Sequence, residues 1–460
     1  MSRKTTTGPT PDIAAGRLPA EAYLANFEAD AKEPLDVKRA VVEASRCYFC
    51  YDAPCIEACP TGIDIPNFIR KIQTGNLKGS ATTILEQNIF GGACARVCPT
   101  EVLCERACVR NIAEDKPVAI GLLQRYATDY LFERAIQPFQ RAPRTGKRVA
   151  VAGGGPAGLS CAHRLAMLGH DVTVFEARPK LGGLNEYGIA AYKVPQDFAQ
   201  REAEFVLSIG GIEPRTGVAL GRDMSLAQLR QDFDAVFLAI GLTGVNALQA
   251  EGEGLQGVID AVAYIAELRQ SKDKSRLPVG RRVVVIGGGN TAIDIAVQTK
   301  RLGAEDVTIV YRRGPEHMGA TWHEQEFAQV NGVKIKHWAR PVRVIGENGH
   351  AAQVEFEYTA LDAGGRLTGT NSSFVIPADQ VFKAIGQTFI ADPVVAGAAE
   401  PLEIRNGRIL VDQARATSLP GVYAGGDCVS GVDLTVAAVE DGKIAAQSID
   451  RFLRGLQAAA

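Results

Sequence analysis

Two stretches of the chain share one pattern of apolar and polar positions. Each begins with a continuous apolar run, followed by a glycine-rich turn, a helix-length segment and a second apolar run. The first copy comprises a strand at Val149 to Ala152, a helix at Ala157 to Leu168 and a strand at Asp171 to Phe175, and the second comprises Val283 to Ile286, Thr291 to Leu302 and Asp306 to Val310. Continuous apolar strands that alternate with helices are typical of parallel sheets covered on both faces. The pattern therefore predicts two βαβ units of the same kind.

The C-terminal third returns to the first of these units. Gly421 to Asp427 reads as another strand with a glycine-rich turn, and a helix is predicted from about Thr435. We therefore expect the second α/β unit to be inserted in a discontinuous first one.

Charge and hydropathy exclude several classes of function. The 460 residues carry 50 basic and 52 acidic side chains, so that a net charge of -2 provides no general attraction to nucleic acid. No apolar run approaches the ~18 residues that a membrane span requires. The first twenty residues contain no apolar core of a signal peptide. These features predict a cytoplasmic protein that binds neither nucleic acid nor membrane.

Eight of the ten cysteines lie within 62 residues of the N-terminal region. They are Cys47, Cys50, Cys55, Cys59, Cys94, Cys98, Cys104 and Cys108. Thiolates at such short spacings can surround a soft metal centre, and an iron-sulfur cluster takes four ligands, so two clusters are expected. Zinc knuckles, which favour two C-x2-C pairs, and disulfides, which a reducing cytosol disfavours, are the alternatives. Between the two cysteine runs, Ile65 to Ile72 and Ala81 to Leu85 predict a helical hairpin.

The first glycine-rich turn has the context of a dinucleotide fingerprint. Gly153-x-Gly155-x-x-Gly158 follows a strand and opens a helix, and Glu176 ends the next strand, where a carboxylate binds ribose hydroxyls. Asp427, at the end of the C-terminal strand, is expected to accept a hydrogen bond from a flavin ribityl hydroxyl, and the helix from Thr435 to face the flavin. This set predicts bound FAD.

The second turn differs where the first has its carboxylate. Gly287-x-Gly289-x-x-Ala292 is followed by Tyr311 at the position of Glu176, and then by Arg312 and Arg313. Guanidinium groups can hold the 2'-phosphate of NADPH, which a carboxylate would repel. The alternative for the two arginines is a solvated strand end. The sequence thus favours NADPH at the second site without excluding NADH.

These signals together predict a multidomain fold. An α-helical N-terminal iron-sulfur domain is followed by two Rossmann-like α/β dinucleotide-binding domains, the second inserted in the first. The expected boundaries are 1–140 for the 4Fe-4S domain, with 1–18 disordered, 141–260 and 380–460 for the FAD-binding domain, and 261–379 for the NAD(P)H-binding domain. Residues 137–146 read as a polar linker.

The cysteine block resembles the N-terminal region of the dihydropyrimidine dehydrogenase family. The resemblance is carried by Ser45-Arg46-Cys47-x2-Cys50-Tyr51-Asp52-Ala53-Pro54-Cys55-x3-Cys59-Pro60-Thr61, by Cys94-Ala-Arg-Val97-Cys98-Pro99-Thr100 and by Leu103-Cys104-x3-Cys108. It implies one 4Fe-4S cluster on Cys47, Cys50, Cys55 and Cys108, and a second on Cys59, Cys98, Cys104 and Gln124. Simple counting would instead recruit Cys94 as the eighth thiolate. The resemblance also implies that Lys193 occupies a basic position beside the flavin that is usually held by arginine.

The cofactor-binding residues expected from the fingerprints and the resemblance extend over three regions. They are Val97 in the cysteine region, Gly153, Gly155, Pro156, Ala157, Gly158, Glu176, Gly183, Leu184, Lys193, Ala384, Gly386, Gly426, Asp427 and Thr435 within the expected FAD-binding domain, and Gly287, Gly289, Asn290, Thr291, Ala292, Arg312 and Arg313 within the expected NAD(P)H-binding domain. No catalytic acid or base is expected, because hydride transfer takes place at the FAD.

The resemblance implies an electron-input subunit. NAD(P)H would reduce FAD, and the clusters would pass electrons to an FMN- and iron-sulfur-containing barrel subunit of the PreA type, in a heterotetramer, where uracil or thymine is reduced to the 5,6-dihydro form. No pyrimidine site is expected in this chain. The alternatives are the small subunit of glutamate synthase, which shares this layout, and a redox-sensing iron-sulfur protein.

Several other reactive residues are expected to be structural. Cys161 and Cys428 are expected to be small buried residues, since neither belongs to a C-x-x-C pair. Glu324 and Glu326 are expected to form a solvated helix face.

Overall fold

The structure is a computed structural model that describes residues 15–395 and 400–455. Its α-helices are α1 (Ala20–Glu28), α2 (Val37–Ala44), α3 (Pro54–Glu57), α4 (Ile65–Gln73), α5 (Leu77–Gln87), α6 (Gly91–Val97), α7 (Arg110–Glu114), α8 (Ile120–Glu133), α9 (Pro156–Met167), α10 (Leu184–Tyr187), α11 (Phe198–Leu207), α12 (Leu226–Asp232), α13 (Ala261–Gln270), α14 (Asn290–Leu302), α15 (Trp322–Val330), α16 (Asp392–Val395) and α17 (Thr435–Leu453).

The strands alternate with these helices after the N-terminal region. They are β1 (Arg148–Ala152), β2 (Asp171–Glu176), β3 (Ile212–Thr216), β4 (Ala235–Leu238), β5 (Gly244–Val245), β6 (Val258–Asp260), β7 (Arg282–Ile286), β8 (Asp306–Val310), β9 (Lys334–Lys336), β10 (Ala339–Glu347), β11 (His350–Leu361), β12 (Leu367–Pro377), β13 (Gln380–Lys383), β14 (Gln387–Thr388), β15 (Ile404–Arg405), β16 (Arg408–Ile409) and β17 (Val422–Ala424).

The chain divides into two compact units. The larger unit comprises the described parts of Ala31–Glu186, Gln196–Gly244 and Thr388–Ala460, and the smaller unit comprises those of Met1–Asp30, Tyr187–Pro195 and Val245–Gln387. Each unit contains one parallel five-stranded sheet.

The sheet of the larger unit has the strand order β17-β4-β1-β2-β3, with every pair parallel. In β1 the residues after Arg148 are all buried, as a strand covered by helices on both faces requires. Helices α9 and α17 lie so close together that a methyl group on Gly442 would overlap the carbonyl oxygen of Ala157. Ser160 Oγ of α9 also donates to the carbonyl of Val439 at 2.7 Å. The C-terminal helix is therefore part of the first α/β unit, as the sequence predicts.

The cysteine-bearing segments of the larger unit are supported by short helices. Helix α4 begins at a cap in which the Asp64 side chain accepts the N–H of Asn67, and it buries Ile65, Phe68, Ile69 and Ile72 at helical spacing. Helix α5 returns beside it, and Ser80 Oγ donates to the carbonyl of Phe68 at 2.8 Å. The predicted helical hairpin is confirmed.

The smaller unit repeats the parallel arrangement with the order β6-β13-β7-β8-β9. A separate antiparallel sheet, β10-β11-β12, follows in the chain. Helix α1 joins this unit: Asn26 Nδ2 donates to the carbonyl of Arg301 in α14 at 2.7 Å, and Arg301 returns a hydrogen bond to the carbonyl of Asn26 at 2.8 Å.

The structure draws the domain boundaries differently from the sequence. Strand β13 pairs with β7 in the second sheet, and β6 pairs with β13 at its edge, so that 258–260 and 380–383 belong to the smaller unit and not to the expected FAD-binding domain. Both strands are too short to show a period of their own. Helix α1 likewise belongs to the smaller unit and not to the cysteine region.

The two expected flexible segments also have structure where they are described. Residues 1–14 lie outside the described residues, but Ala15 is buried and donates its N–H to the carbonyl of Val279. In the segment 137–146, Arg141 and Arg144 both pair with Asp171 at 2.6 Å, and Ala142 donates to the carbonyl of Met167. The polar composition of this segment therefore reflects ion pairs along the sheet and not a free linker. No helix among the described residues is long and apolar enough to cross a membrane.

Candidate functional site

Four cysteines from separate segments line one cavity in the larger unit. Cys47 and Cys50 follow α2, Cys55 lies in α3, and Cys108 precedes α7. The rest of the wall is mostly apolar, with Ala53, Pro54, Ile65, Ile69, Val118 and Ile120. These four thiols are the set that the resemblance assigns to the first cluster.

The environment of this set disfavours free thiolates. Burial raises the pKa of Cys55 to about 12, with further contributions from Cys108 and Cys47. Burial likewise raises the pKa of Cys47, although the N–H of Phe49 donates to its sulfur at 3.4 Å. The buried thiols of Cys47 and Cys55 ionise readily only when a positive centre binds them, so the donor set fits a thiolate-ligated metal cluster.

Cys59, Cys98 and Cys104 form a second group. The pKa of Cys98 is raised by a hydrogen bond with Cys94, by burial, and by the nearby thiols of Cys104 and Cys59. Burial, and then Glu105 and Cys59, raise the pKa of Cys104. The structure thus brings together the three cysteines expected for the second cluster.

Both candidates for the fourth ligand of this group are buried. Cys94 lies in α6, one turn before Cys98, and is 2% exposed. Gln124 lies in α8 and donates from Nε2 to the carbonyl of Gly91, the first residue of α6, at 2.7 Å. This hydrogen bond occupies the amide nitrogen, so the Gln124 oxygen is the atom that could act as a ligand. Val97, also named for this region, ends α6 and is half-buried.

The four thiols of the first set line a cavity instead of meeting at one point. Within 15–395 and 400–455, no three histidine, cysteine or acidic side chains converge closely enough to hold a single metal ion.

The first glycine-rich turn has the backbone conformation that its sequence predicts. Gly153 has φ +109° and donates its N–H to the carbonyl of Phe175 at 2.8 Å, and a methyl group on it would overlap the carbonyl of Ala239. A methyl group on Gly158 would overlap the carbonyl of Gly153. Gly155 is the N-cap of α9, so the first N–H groups of this helix lie at the turn. These groups have no acceptor within the helix, and they suit a pyrophosphate group.

Glu176 closes this turn. One carboxylate oxygen accepts the N–H of Gly154 at 2.8 Å and the other accepts the N–H of Arg178 at 2.8 Å. The side chain is almost fully buried. Since each carboxylate oxygen has a second lone pair, these bonds leave acceptors for the ribose hydroxyls.

A second pair of glycines packs against the turn. Gly182 donates its N–H to the carbonyl of Gly154 at 2.8 Å, and Gly183 lies over Gly155 so closely that a methyl group on it would lie 2.7 Å from the Gly155 Cα. Leu184 begins α10. Thr435, the first residue of α17, donates from Oγ1 to Asn185 Oδ1 at 3.0 Å. The structure therefore gathers Gly183, Leu184 and Thr435 near the first turn.

Gly426 and Asp427 lie in the short turn between β17 and α17. The N–H of Gly426 donates to Asp441 Oδ2 at 2.8 Å. Burial, with help from Asp433 and Asp441, raises the pKa of Asp427 to about 6, against the effect of Arg408. The carboxyl therefore holds its proton to a higher pH than an ordinary aspartate does, and it is mostly ionised at pH 7.

The second turn, in the smaller unit, has the same backbone geometry. Gly287 has φ +144°, donates its N–H to the carbonyl of Val310 at 3.1 Å, and would overlap the carbonyl of Ala384 if it had a methyl group. Gly289 caps α14, which begins with Asn290, Thr291 and Ala292, and among the described residues no atom beyond its chain neighbours lies within 4 Å of a methyl group placed on Gly289. This open surface at a helix start fits a dinucleotide phosphate.

The end of β8 carries the predicted cations. The Tyr311 ring covers Gly288, and its hydroxyl donates to the carbonyl of His317 at 2.6 Å. Arg312 is exposed, and Arg313 is half-buried, with a buried Nε that has no hydrogen-bond partner in the described part of the chain. An anionic ligand could satisfy this orphaned donor.

Lys193 has different partners from those expected. Its ammonium lies 2.7 Å from Asp294 Oδ1 and 2.7 Å from Glu324 Oε2, all within the smaller unit. The pKa of Lys193 is raised by these two carboxylates in spite of burial. The expectation of a solvated helix face was thus wrong for Glu324, because α15 turns it toward the buried lysine, whereas Glu326 is exposed. Cys161 and Cys428 are fully buried, as predicted.

Three structural features close to the candidate sites were missed by the sequence analysis. Ala239 and Gly241 follow β4 as Ala384 and Gly386 follow β13, and Ala239 donates its N–H to the carbonyl of Ala152 at 2.7 Å. The repeat of Phe-x-Ala-Ile-Gly-x-Thr at 237–243 and 382–388 is the signal that could have found them. Asn185 had no such signal. Neither had Glu202, a fully buried acid of α11 whose oxygen accepts the N–H of Ala93 at 2.9 Å and whose pKa burial raises to about 8.

Residues 147–442 match the family model described as pyridine nucleotide-disulphide oxidoreductase. The chain belongs to the pyridine nucleotide-disulphide oxidoreductase family. Residues 24–136 match a second model, described as dihydropyrimidine dehydrogenase domain II, 4Fe-4S cluster. The chain is therefore an oxidoreductase of this family with an N-terminal 4Fe-4S domain.

Two relatives match nearly the whole chain. The NAD-dependent dihydropyrimidine dehydrogenase subunit PreT of Salmonella typhimurium is 36% identical over 90% of this chain and 94% of its own length. The glutamate synthase [NADPH] small chain of Escherichia coli is 35% identical over 92% of this chain and 93% of its own. Among solved structures, thioredoxin reductase of T. acidophilum has a TM-score of 0.53 at 22% identity, covering 67% of this chain and 99% of that one. The last likeness shows the fold alone.

The recognition made from the cysteine block is confirmed by these relatives. The expected class, an NAD(P)H-dependent oxidoreductase with FAD and 4Fe-4S clusters, is confirmed within the family. Which individual residues hold each cofactor stays a prediction.

Proposed function

We propose that this family member is the electron-input subunit of a dihydropyrimidine dehydrogenase. One observation carries the proposal: both cysteine groups, in the spacing of that family, lie in the same compact unit as the Glu176 dinucleotide turn. The similarity to PreT over 94% of its length supports it.

The cofactors would be held by the residues described above. FAD would lie on the Gly153 to Gly158 turn with Glu176 and Asp427, and NADPH or NADH on the Gly287 to Ala292 turn with Arg312 and Arg313. When bound, the flavin accepts hydride and the clusters carry single electrons. The chain itself supplies pyrophosphate donors at two helix starts and an apolar wall around one thiol group. No acid or base is needed for hydride transfer.

The architecture proposed for this chemistry is a nested one. We infer that the nicotinamide domain, at 245–387, is inserted in the flavin domain, since β17 joins the sheet of β1 to β4.

The electrons would leave to a partner subunit. We propose an FMN- and iron-sulfur-containing barrel subunit, PreA-like, in a heterotetramer in the cytoplasm, where thiols stay reduced. Uracil or thymine would be reduced on that partner to the 5,6-dihydro form.

The test uses this chain alone and then with its copurified partner under anaerobic conditions. The chain alone should oxidise NADPH or NADH with an artificial dye but form no dihydrouracil, and the complex should form dihydrouracil. Dihydrouracil from the chain alone would overturn the division of labour.

The second candidate is the small subunit of a glutamate synthase. It is favoured by 35% identity over 93% of the Escherichia coli small chain. Supplying glutamine and 2-oxoglutarate to the same complex distinguishes the two, because only this candidate predicts NADPH-dependent glutamate.

A further inference from the structure

A hydroxyl group contacts one sulfur of the second cysteine group, and an ammonium group binds the turn that carries this hydroxyl. Thr61 is 2% exposed, and its Oγ1 lies 3.4 Å from Cys59 Sγ. A thiolate that binds metal has no proton, so in the assembled cluster the hydroxyl must be the donor.

The position of Thr61 is fixed from two sides. The N–H of Gly62 donates to the carbonyl of Cys59 at 2.9 Å, and Gly62 has φ +65°, which closes the turn that contains Thr61. Lys443 of α17 then donates from Nζ to the carbonyl of Thr61 at 3.0 Å and to Gln87 Oε1 at 3.1 Å.

Lys443 is itself held in place. Its side chain is 12% exposed and lies 2.7 Å from Glu440 Oε2. Since this pair is close to neutral, Lys443 acts mainly by holding the Thr61 turn and less by its charge. The same helix begins at Thr435, which lies beside the proposed flavin turn.

We propose that Thr61, held by Lys443, sets the reduction potential of the cluster bound by Cys59. A hydrogen bond to a ligand sulfur stabilises the additional negative charge of the reduced cluster and so raises its potential. The step concerned is the gain of one electron, which NAD(P)H supplies through the flavin. This inference rests on the proposed function.

The experiment is a redox titration of the anaerobically purified full chain, with mediators, followed by electron paramagnetic resonance. Thr61→Val keeps the shape of the side chain and removes the donor. At a fixed applied potential it should lower the ratio of reduced to oxidised second cluster about tenfold, which corresponds to about 59 mV for one electron. Thr61→Ser should restore the ratio, and Thr82→Val, whose exposed hydroxyl donates to the carbonyl of Lys78, is the matched control.

Lys443→Gln is the second variant. It should lower the same ratio about threefold while the signal of the first cluster stays unchanged, since less of the hydrogen bond is lost. An unchanged ratio in an iron-replete Thr61→Val protein would overturn the proposal. If Thr61→Val fails to take up iron, an unchanged ratio in Lys443→Gln would overturn it instead. Failure of the proposed function looks different, because the copurified complex would then form no dihydrouracil, whatever the potential of the second cluster.

Discussion

The two glycine-rich turns share one backbone conformation but differ in the side chains that would contact a ligand. In both, the first glycine donates its N–H to the next strand, to Phe175 at 2.8 Å and to Val310 at 3.1 Å. In both, a methyl group on that glycine would overlap the carbonyl of an alanine, Ala239 or Ala384. The fold therefore dictates the turn itself, and residues outside it decide the ligand.

The differences lie at the end of the second strand and at the third fingerprint position. Glu176 satisfies two backbone N–H groups of the first turn, whereas Tyr311 covers the second turn with its ring and is followed by two arginines. Gly158 leaves no space for a methyl group, whereas the second turn has Ala292 in the same place. A firmly bound flavin and an exchanging nicotinamide would differ in this way.

The third fingerprint position should give the largest effect. Gly158→Ala puts a methyl group into the carbonyl of Gly153, so we expect the purified protein to lose most of its flavin and at least about 2 kcal/mol of its free energy of unfolding. Ala292→Gly, the reverse change in the second turn, should cost no more than about 1 kcal/mol. Flavin content and urea unfolding measure both. Equal losses in the two variants would contradict the comparison.

The carboxylate of the first turn should come next. Glu176→Ala leaves the buried N–H group of Gly154 without its acceptor, at about 1 to 3 kcal/mol, and also removes the acceptor of the more exposed N–H of Arg178, so FAD affinity should fall at least tenfold. The control in the second turn is Tyr311→Phe, which removes only the hydrogen bond to the carbonyl of His317. Titration of the flavin-free proteins with FAD gives both affinities. Retention of tight binding in Glu176→Ala would sink the assignment.

The edge strands β17 and β6 of the two parallel sheets also differ in the acidic residue that follows or ends them. At the edge of the first sheet, the turn after β17 carries Asp427, whose pKa burial raises to about 6, while at the edge of the second sheet Asp260 ends β6 and lies 2.9 Å from Lys383 Nζ. In the flavin-free protein the folded state holds the Asp427 proton more tightly than the unfolded chain does. Stability should therefore fall as pH rises from about 4 to about 6, by at most about 2 kcal/mol.

Urea unfolding at several pH values checks this sign. Asp427→Asn should remove the part of the pH dependence that lies between about 4 and 6, and Asp260→Asn, as the control, should leave it in place. The expected direction would be wrong if the free energy of unfolding of the unaltered chain rose between about pH 4 and about pH 6 relative to that of Asp427→Asn.

The sequence predicts the repeated part of this fold because each strand and helix of the two βαβ units is long enough to show its own period. The strand at Asp306–Val310 and the start of α17 at Thr435 agree with the expectations. Short strands such as β6 and β13 are set by their neighbours in the sheet and not by local pattern, so the boundary between the two dinucleotide units was misplaced.

The site residues likewise fall into those with a local sequence signal and those that depend on contacts with distant elements. Glycines at positive φ and cysteines at short spacing carry a local signal, and so does Glu176 at a fixed distance from its turn. The partners of Lys193 come from two helices more than a hundred residues away, and Thr61 and Glu202 gain their roles only through burial. No local pattern encodes such contacts, because they depend on how distant elements pack.

The arginine pair should give the smallest effect and the most specific one. Arg313 has a buried Nε without a partner in the described part of the chain, and Arg312 is exposed beside it. If they hold a 2'-phosphate, Arg313→Ser should raise the KM for NADPH about tenfold and leave the KM for NADH unchanged, since only NADPH carries that group. Arg312→Ser should act in the same direction but more weakly, because an exposed guanidinium gains less from a charged hydrogen bond.

Steady-state dye reduction with both nucleotides measures the selectivity for NADPH over NADH. Arg340→Ser is the control, because this guanidinium lies on β10 and pairs with Glu357 at 2.7 Å. Equal changes with NADPH and NADH would show that the arginines stabilise the strand end, and the difference between the two turns would then lie in Glu176 and in the third fingerprint position.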